Sequence, residues 1–190
     1  DTADTTSLTI NTVANGGINI GDITGSAVLD SLTVTTAAEG DFNMEGMVEA
    51  DALSSISMTA TGDASVVFDD IGSTTGAILD TMTLTAQSGG DLDVFASNVE
   101  STVDMTSIII TADGSGSTIT MEGDIQTEGA ITTLTFSATE GATIEGDDAE
   151  TFDFTTVNAW TLETDGTGSS FTMEGIASGE TDIETLTIDS

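Results

Sequence analysis

Thr81-Met82-Thr83-Leu84-Thr85 alternates hydroxyl and apolar side chains residue by residue. Alternation with period two, rich in Thr and in branched or aromatic residues, marks a strand with one face buried. The pattern returns at Ser31-Leu32-Thr33-Val34-Thr35, Ser55-Ile56-Ser57-Met58-Thr59, Ser107-Ile108-Ile109-Ile110-Thr111, Thr133-Leu134-Thr135-Phe136-Ser137 and Glu184-Thr185-Leu186-Thr187-Ile188. With Leu8 and Trp160 included, the leading apolar positions are 8, 32, 56, 82, 108, 134, 160 and 186, in steps of 24, 24 and then 26 five times.

A second apolar station follows each of the first seven leaders by ten or eleven residues, at Ile18, Phe42, Val66, Leu92, Ile119, Ile144 and Phe171. A third precedes each following leader by three residues, at Leu29, Leu53, Leu79, Met105, Ile131, Val157 and Ile183. Gly, Asp, Ser and Asn turn material separates the stations. Two architectures use such a unit: a parallel β-helix (β-solenoid) of about seven coils of 24–26 residues, or an antiparallel β-sandwich. Only the solenoid demands near-constant coil length, because a slip of one residue turns core side chains outward. The spacing therefore predicts an all-β parallel solenoid forming a single domain over residues 1–190. Met44, Met121 and Met173 fall at one inner station and read as core filling, and Trp160 as core or coil-edge packing.

The charge is one-sided: 34 Asp and Glu, no Lys, Arg or His, and a formal net charge of −34 on 190 residues. Nucleic acid is excluded as a partner, since phosphates are neutralised by Lys and Arg. No apolar run approaches the roughly 20 residues of a spanning helix. With no Cys, His or Tyr, disulfides, thiolate or imidazole metal sites and most catalytic bases are absent. A 37% hydrophobic content spread along the chain still argues for a folded protein.

Thr132-Thr133-Leu134-Thr135-Phe136-Ser137-Ala138 followed by Gly141-Ala142-Thr143-Ile144-Glu145-Gly146, and Leu84-Thr85-Ala86-Gln87-Ser88-Gly89-Gly90-Asp91-Leu92-Asp93, resemble the β-solenoid regions of bacterial S-layer proteins and large secreted adhesins. The resemblance lies in composition and repeat style and covers nearly the whole chain. It implies a right-handed parallel β-helix, export to the cell surface, self-assembly, and calcium between coils. The calcium-binding nonapeptide with paired glycines is missing, and Gly89-Gly90-Asp91-Leu92-Asp93 only echoes it, so no calcium site transfers position by position.

Charge alone also argues for cations. About four to five carboxylates per coil, if stacked at 4.8 Å, repel by roughly 0.8–1 kcal/mol per adjacent pair in water. Calcium takes six to eight such oxygens. The candidate ligands lie after the second station: Glu45, Asp69, Glu122, Glu145 and Glu174, backed by Asp70, Asp124, Asp147 and Asp148. Four of them belong to Glu-Gly pairs, whose recurrence predicts carboxylates in register. The competing reading is a solvated acidic face screened by monovalent salt.

The outward residues Thr33 and Thr35, Ser57 and Thr59, Thr83 and Thr85, and Thr135 and Ser137 predict two hydroxyl files on a flat face, similar to the array of β-solenoid ice-binding proteins. Ile109 and Glu163 interrupt them, and exposed Thr is also ordinary strand composition. Catalysis is not expected: Asp69 with Asp70 and Asp147 with Asp148 are paired carboxylates, but no cationic group or long insertion accompanies them. Both ends look uncapped, which suits a segment of a longer chain or a filament protomer with open strand edges. The expected function is therefore structural: an extracellular, self-associating surface-layer or filament protein stabilised by calcium, with a cell-surface polysaccharide as a further candidate partner. The alternative is an adhesin stalk or an ice-binding solenoid using the Thr face.

Overall fold

The computed structural model describes residues 6–13, 15–25, 29–50, 52–71, 78–94, 98–122, 124–146, 152–172 and 182–190. Among these residues there is no helix, and every pair of stacked strands runs parallel. The chain winds as a parallel β-solenoid, and the antiparallel sandwich is excluded.

The first face stacks Ser7–Val13, Ser31–Ala37, Ser55–Thr61, Thr81–Gln87, Met105–Asp113, the later parts of Asp124–Thr139 and Phe152–Asp165, and Leu186–Asp189. Its register joins Leu8, Leu32, Ile56, Met82, Ile108, Leu134, Trp160 and Leu186 into one inward file. The second face carries the file Ile18, Phe42, Val66, Leu92, Ile119, Ile144 and Phe171. The third face stacks Ile23–Gly25, the ends of Asp41–Ala50 and Ser65–Ile71, Asn98–Ser101, and the starts of Asp124–Thr139 and Phe152–Asp165. Six strands there give five coil-to-coil steps on which all three faces are described.

The third sequence station forms the corner before the first face. Leu29, Leu53, Leu79, Met105, Ile131 and Val157 are buried there, while Ile183 on the last described coil is 39% exposed. Each fully buried aliphatic or aromatic side chain contributes about 1.5–3 kcal/mol of transfer free energy. Met44 and Met121 are core residues sharing a station with Phe68 and Val94, and Gly146 holds that station on the next coil. Met173 lies outside the described residues. Trp160 is buried, with its ring centroid 6.4 Å from that of Phe136. Its Nε1 has no hydrogen-bond partner among the described residues.

The one-residue variation between the first and second stations is absorbed in the turn joining them. Ser88-Gly89 and Glu140-Gly141 have positive φ at both residues, and the Gly90 and Ala142 N–H groups close the turns onto Gln87 and Thr139 oxygens. A tight turn with two left-handed central residues is the type I′ geometry. Asp113-Gly114-Ser115-Gly116-Ser117 and Asp165-Gly166-Thr167-Gly168-Ser169 spend one residue more, with both glycines left-handed. Their final serines tie the coils together. Ser117 Oγ accepts from the Gly89 N–H at 3.0 Å and donates to the Asp113 carbonyl at 2.6 Å; Ser169 Oγ does the same for Gly141 and Asp165 at 2.9 and 2.5 Å. Each longer turn therefore satisfies a backbone donor of the shorter turn beside it, which pairs the coils in twos.

Candidate functional site

On the first face the side chains that alternate with the core point outward in four parallel files, of which Val13, Ala37, Thr61, Gln87, Asp113, Thr139, Asp165 is the edge file and the other three are rich in hydroxyls. One runs Ser7, Ser31, Ser55, Thr81, Ser107, Thr133; the next Thr9, Thr33, Ser57, Thr83, Ile109, Thr135, Thr161; the third Asn11, Thr35, Thr59, Thr85, Thr111, Ser137. Adjacent rungs are about 4.8 Å apart and outward neighbours along a strand about 6.6 Å. The two hydroxyl files expected from sequence are present, interrupted at Ile109 and ended by Glu163. The Ser-rich file beside them was not anticipated, although the alternating segments already begin on Ser31, Ser55, Thr81, Ser107 and Thr133.

Two properties set this face apart. From Ser7 to Ser137 these three files hold no carboxylate, the acids of the face being confined to the edge file at Asp113, in a chain whose net charge is −34. Their hydroxyls are also unspent. Ser54, Thr106, Thr118, Thr127, Thr139, Thr155 and Ser170 hydrogen-bond to the neighbouring coil. Among the hydroxyls of these three files, only Ser137 makes a side-chain hydrogen bond within the protein, to Glu163. The remainder present donors and acceptors to whatever lies outside.

The carboxylates are organised differently from the expectation. In the corner file Thr6, Asp30, Ser54, Asp80, Thr106, acids alternate with hydroxyls, coil on coil. The same holds for Asp41, Ser65, Asp91, Thr118 and for Asp93, Thr120, Glu145, Thr172 on the second face, and for Asp113, Thr139, Asp165 at the edge of the first. Hydroxyls donate into these acids: Ser54 to Asp30 at 2.5 Å, Thr106 to Asp80 at 2.6 Å, Thr139 to Asp113 at 2.5 Å, and Thr118 to Asp91. Among the described register pairs only Glu163 on Asp189 sets one acid upon another. Acids two rungs apart, near 9.6 Å, repel by about 0.4 kcal/mol in water, and physiological salt screens much of that.

The stacked-acid argument for calcium is thereby corrected for the described residues. Glu122 and Glu145 are both exposed, but they do not share a rung, because Glu145 stacks on Thr120 and Thr172. The Glu-Gly pairs lie 23 residues apart there while the ladder advances 25. Glu45 falls where the register shifts between Met44 and Met47, Asp69 lies opposite that shift, Asp70 pairs with Met47, and Asp124 pairs with Asn98. Glu174, Asp147 and Asp148 lie outside the described residues. Among those described, no three carboxylates converge on one point.

Among the described residues, Asp93 is the carboxyl held clearly above its ordinary range. Burial is the main cause, followed by the charge of Asp91; a hydrogen bond from Thr120 opposes them and Glu122 adds to them. Near the first coils a recess of about 380 Å³ on the second face is lined by Gly17, Ile18, Asn19, Asp41 and Asn43. It offers one carboxylate and two amides, with no second acid or cationic group in its lining. No helix among the described residues is long and apolar enough to cross a membrane. The chain matches no family model, and no curated protein or solved structure is significantly similar to it.

Proposed function

We propose that this protein is a structural element of an extracellular surface layer or filament, a stiff rod that assembles with copies of itself. The observation carrying this reading is the unbroken first-face ladder, eight parallel strands deep. Leu186 and Ile188 continue the inward files yet are 51% and 68% exposed. The resemblance to S-layer and adhesin solenoids supports the extracellular setting, as does a chain without Lys or Arg, which offers trypsin-like proteases no cleavage site. Calcium held by the acidic turns is a further part of the proposal, and return of assembly with calcium but not with equivalent sodium after chelation is its test. Catalysis is not part of it, since the hydroxyl-bonded acids are committed to stacking.

The test is sedimentation and negative-stain microscopy of the purified chain at neutral pH. Elongated assemblies of copies are expected. A chain that stays monomeric at every concentration and ionic strength sinks the proposal. The unspent hydroxyls of the first face favour one second reading, a face that orders water at an ice surface.

A further inference from the structure

We infer that the three carboxylate-free files of the first face are the lateral contact between copies, so that two rods meet face to face through their Ser and Thr files. The inference rests on the self-assembly reading above and names the surface it uses. At −34 per copy, approach through any acid-bearing flank is opposed along its whole length. The second face presents Asp41, Asp91, Asp93 and Glu145 outward, and the corner before the first face presents Asp30 and Asp80. The three hydroxyl-rich files of the first face present six successive rungs without a carboxylate, and Asp113 stands beside them in the edge file. Interface cores are depleted of charge in the same way.

The size of the patch agrees. Six rungs at about 4.8 Å and three files spread over about 13 Å, with a side-chain margin all round, give roughly 500–600 Å² per copy. About 1,100 Å² over two copies belongs to weak, reversible contacts rather than obligate dimers. Weak contacts suit an array in which each rod also has other neighbours, because linked contacts multiply. The free hydroxyls supply donors and acceptors on both sides, and a two-fold arrangement lets each file face its equivalent. The second copy is preferred over a sugar surface, because the three files carry no aromatic ring on which a sugar would stack.

The test is sedimentation of the parent chain, Thr59→Asp and Asn19→Asp from about 10 mM to about 0.5 M NaCl, a range over which screening shortens severalfold. Thr59 sits mid-face between Thr35 and Thr85 in register, and Asn19 lies on the second face beside Asn43. The parent is expected to associate reversibly and more tightly as salt rises. Thr59→Asp should weaken association at least tenfold at low salt, with Asn19→Asp close to the parent. Circular dichroism establishes that each variant is folded, and Thr35→Asp replaces Thr59→Asp should the latter unfold. Association of Thr59→Asp equal to the parent's overturns the lateral face and leaves self-assembly standing. A parent that never associates overturns both, and a monomer that depresses freezing below melting assigns the face to ice instead.

Discussion

Ser65 separates Asp41 from Asp91 on the second face, and its hydroxyl makes no side-chain hydrogen bond among the described residues. Ser65→Asp therefore changes little except charge, and it converts a spaced file into three acids on successive rungs. Each new neighbour at about 4.8 Å costs about 0.9 kcal/mol in water, so the pair costs about 1.7 kcal/mol at low ionic strength. A Debye length near 8 Å in physiological salt cuts this to about 1 kcal/mol, and molar salt removes most of it. Ser65→Asn, similar in shape to Asp but neutral, controls for size and strand propensity. The assay is urea unfolding followed by circular dichroism at about 10 mM and about 0.5 M NaCl, with a chelator present. The reasoning predicts a loss for Asp well beyond that for Asn, shrinking as salt rises. Equal losses for the two variants, or a loss indifferent to salt, would refute it.

Gly90→Ala should be among the most damaging small changes, since its Cβ would lie 2.2 Å from the Ala60 carbonyl oxygen of the adjacent coil. A loss of more than about 2 kcal/mol is expected in the same unfolding assay. Ser117→Ala leaves the Gly89 N–H without its acceptor, and a loss of about 1–2 kcal/mol follows, readable as a drop of several degrees in the thermal midpoint. Asp93→Asn should stabilise the protein at neutral pH by less than about 1 kcal/mol once screening at a half-exposed site is allowed for. The raised carboxyl of Asp93 means that the folded state holds the proton more tightly than the unfolded chain. Ionised Asp93 thus costs stability at neutral pH, and the cost fades as pH falls through the folded pKa. Unfolding curves of parent and variant should converge toward acid pH; a gap that widens there would contradict the assignment.

The fold was legible because burial writes itself into sequence as spacing. Leu32, Phe42 and Leu53 recur coil after coil, since a stacked core tolerates no slip, and the register joins the residues that subtraction joined. The hydroxyl face was legible for the same reason, Thr33 and Thr35 being the outward partners of Leu32 and Val34. The acids were not. Glu122-Gly123 and Glu145-Gly146 look equivalent as words, yet the ladder sets Glu145 on Thr120. Surface positions lack the constraint that keeps core spacing constant, so their partners emerge only when each coil's length is known turn by turn. Ser117 and Ser169 had a signal that went unread: Asp-Gly-Ser-Gly-Ser at 113–117 returns as Asp-Gly-Thr-Gly-Ser at 165–169, always where the second station comes eleven residues after the first. A glycine-rich turn reads as generic punctuation until the neighbouring coil shows which amide its serine must satisfy.

The claim on which all of this rests is that acids lie two rungs apart with a hydroxyl residue between them. Because the chain has no cysteine, paired Cys substitutions read that arrangement directly. Under mild oxidation, Asp41→Cys with Ser65→Cys, and Ser65→Cys with Asp91→Cys, should each close a disulfide within one chain, since register neighbours stand about 4.8 Å apart and Cα atoms up to about 7 Å can be bridged. Asp41→Cys with Asp91→Cys, about 9.6 Å apart, should stay reduced within the chain. Ready closure of the Asp41 and Asp91 pair, with Ser65 left out of both bridges, would contradict the account.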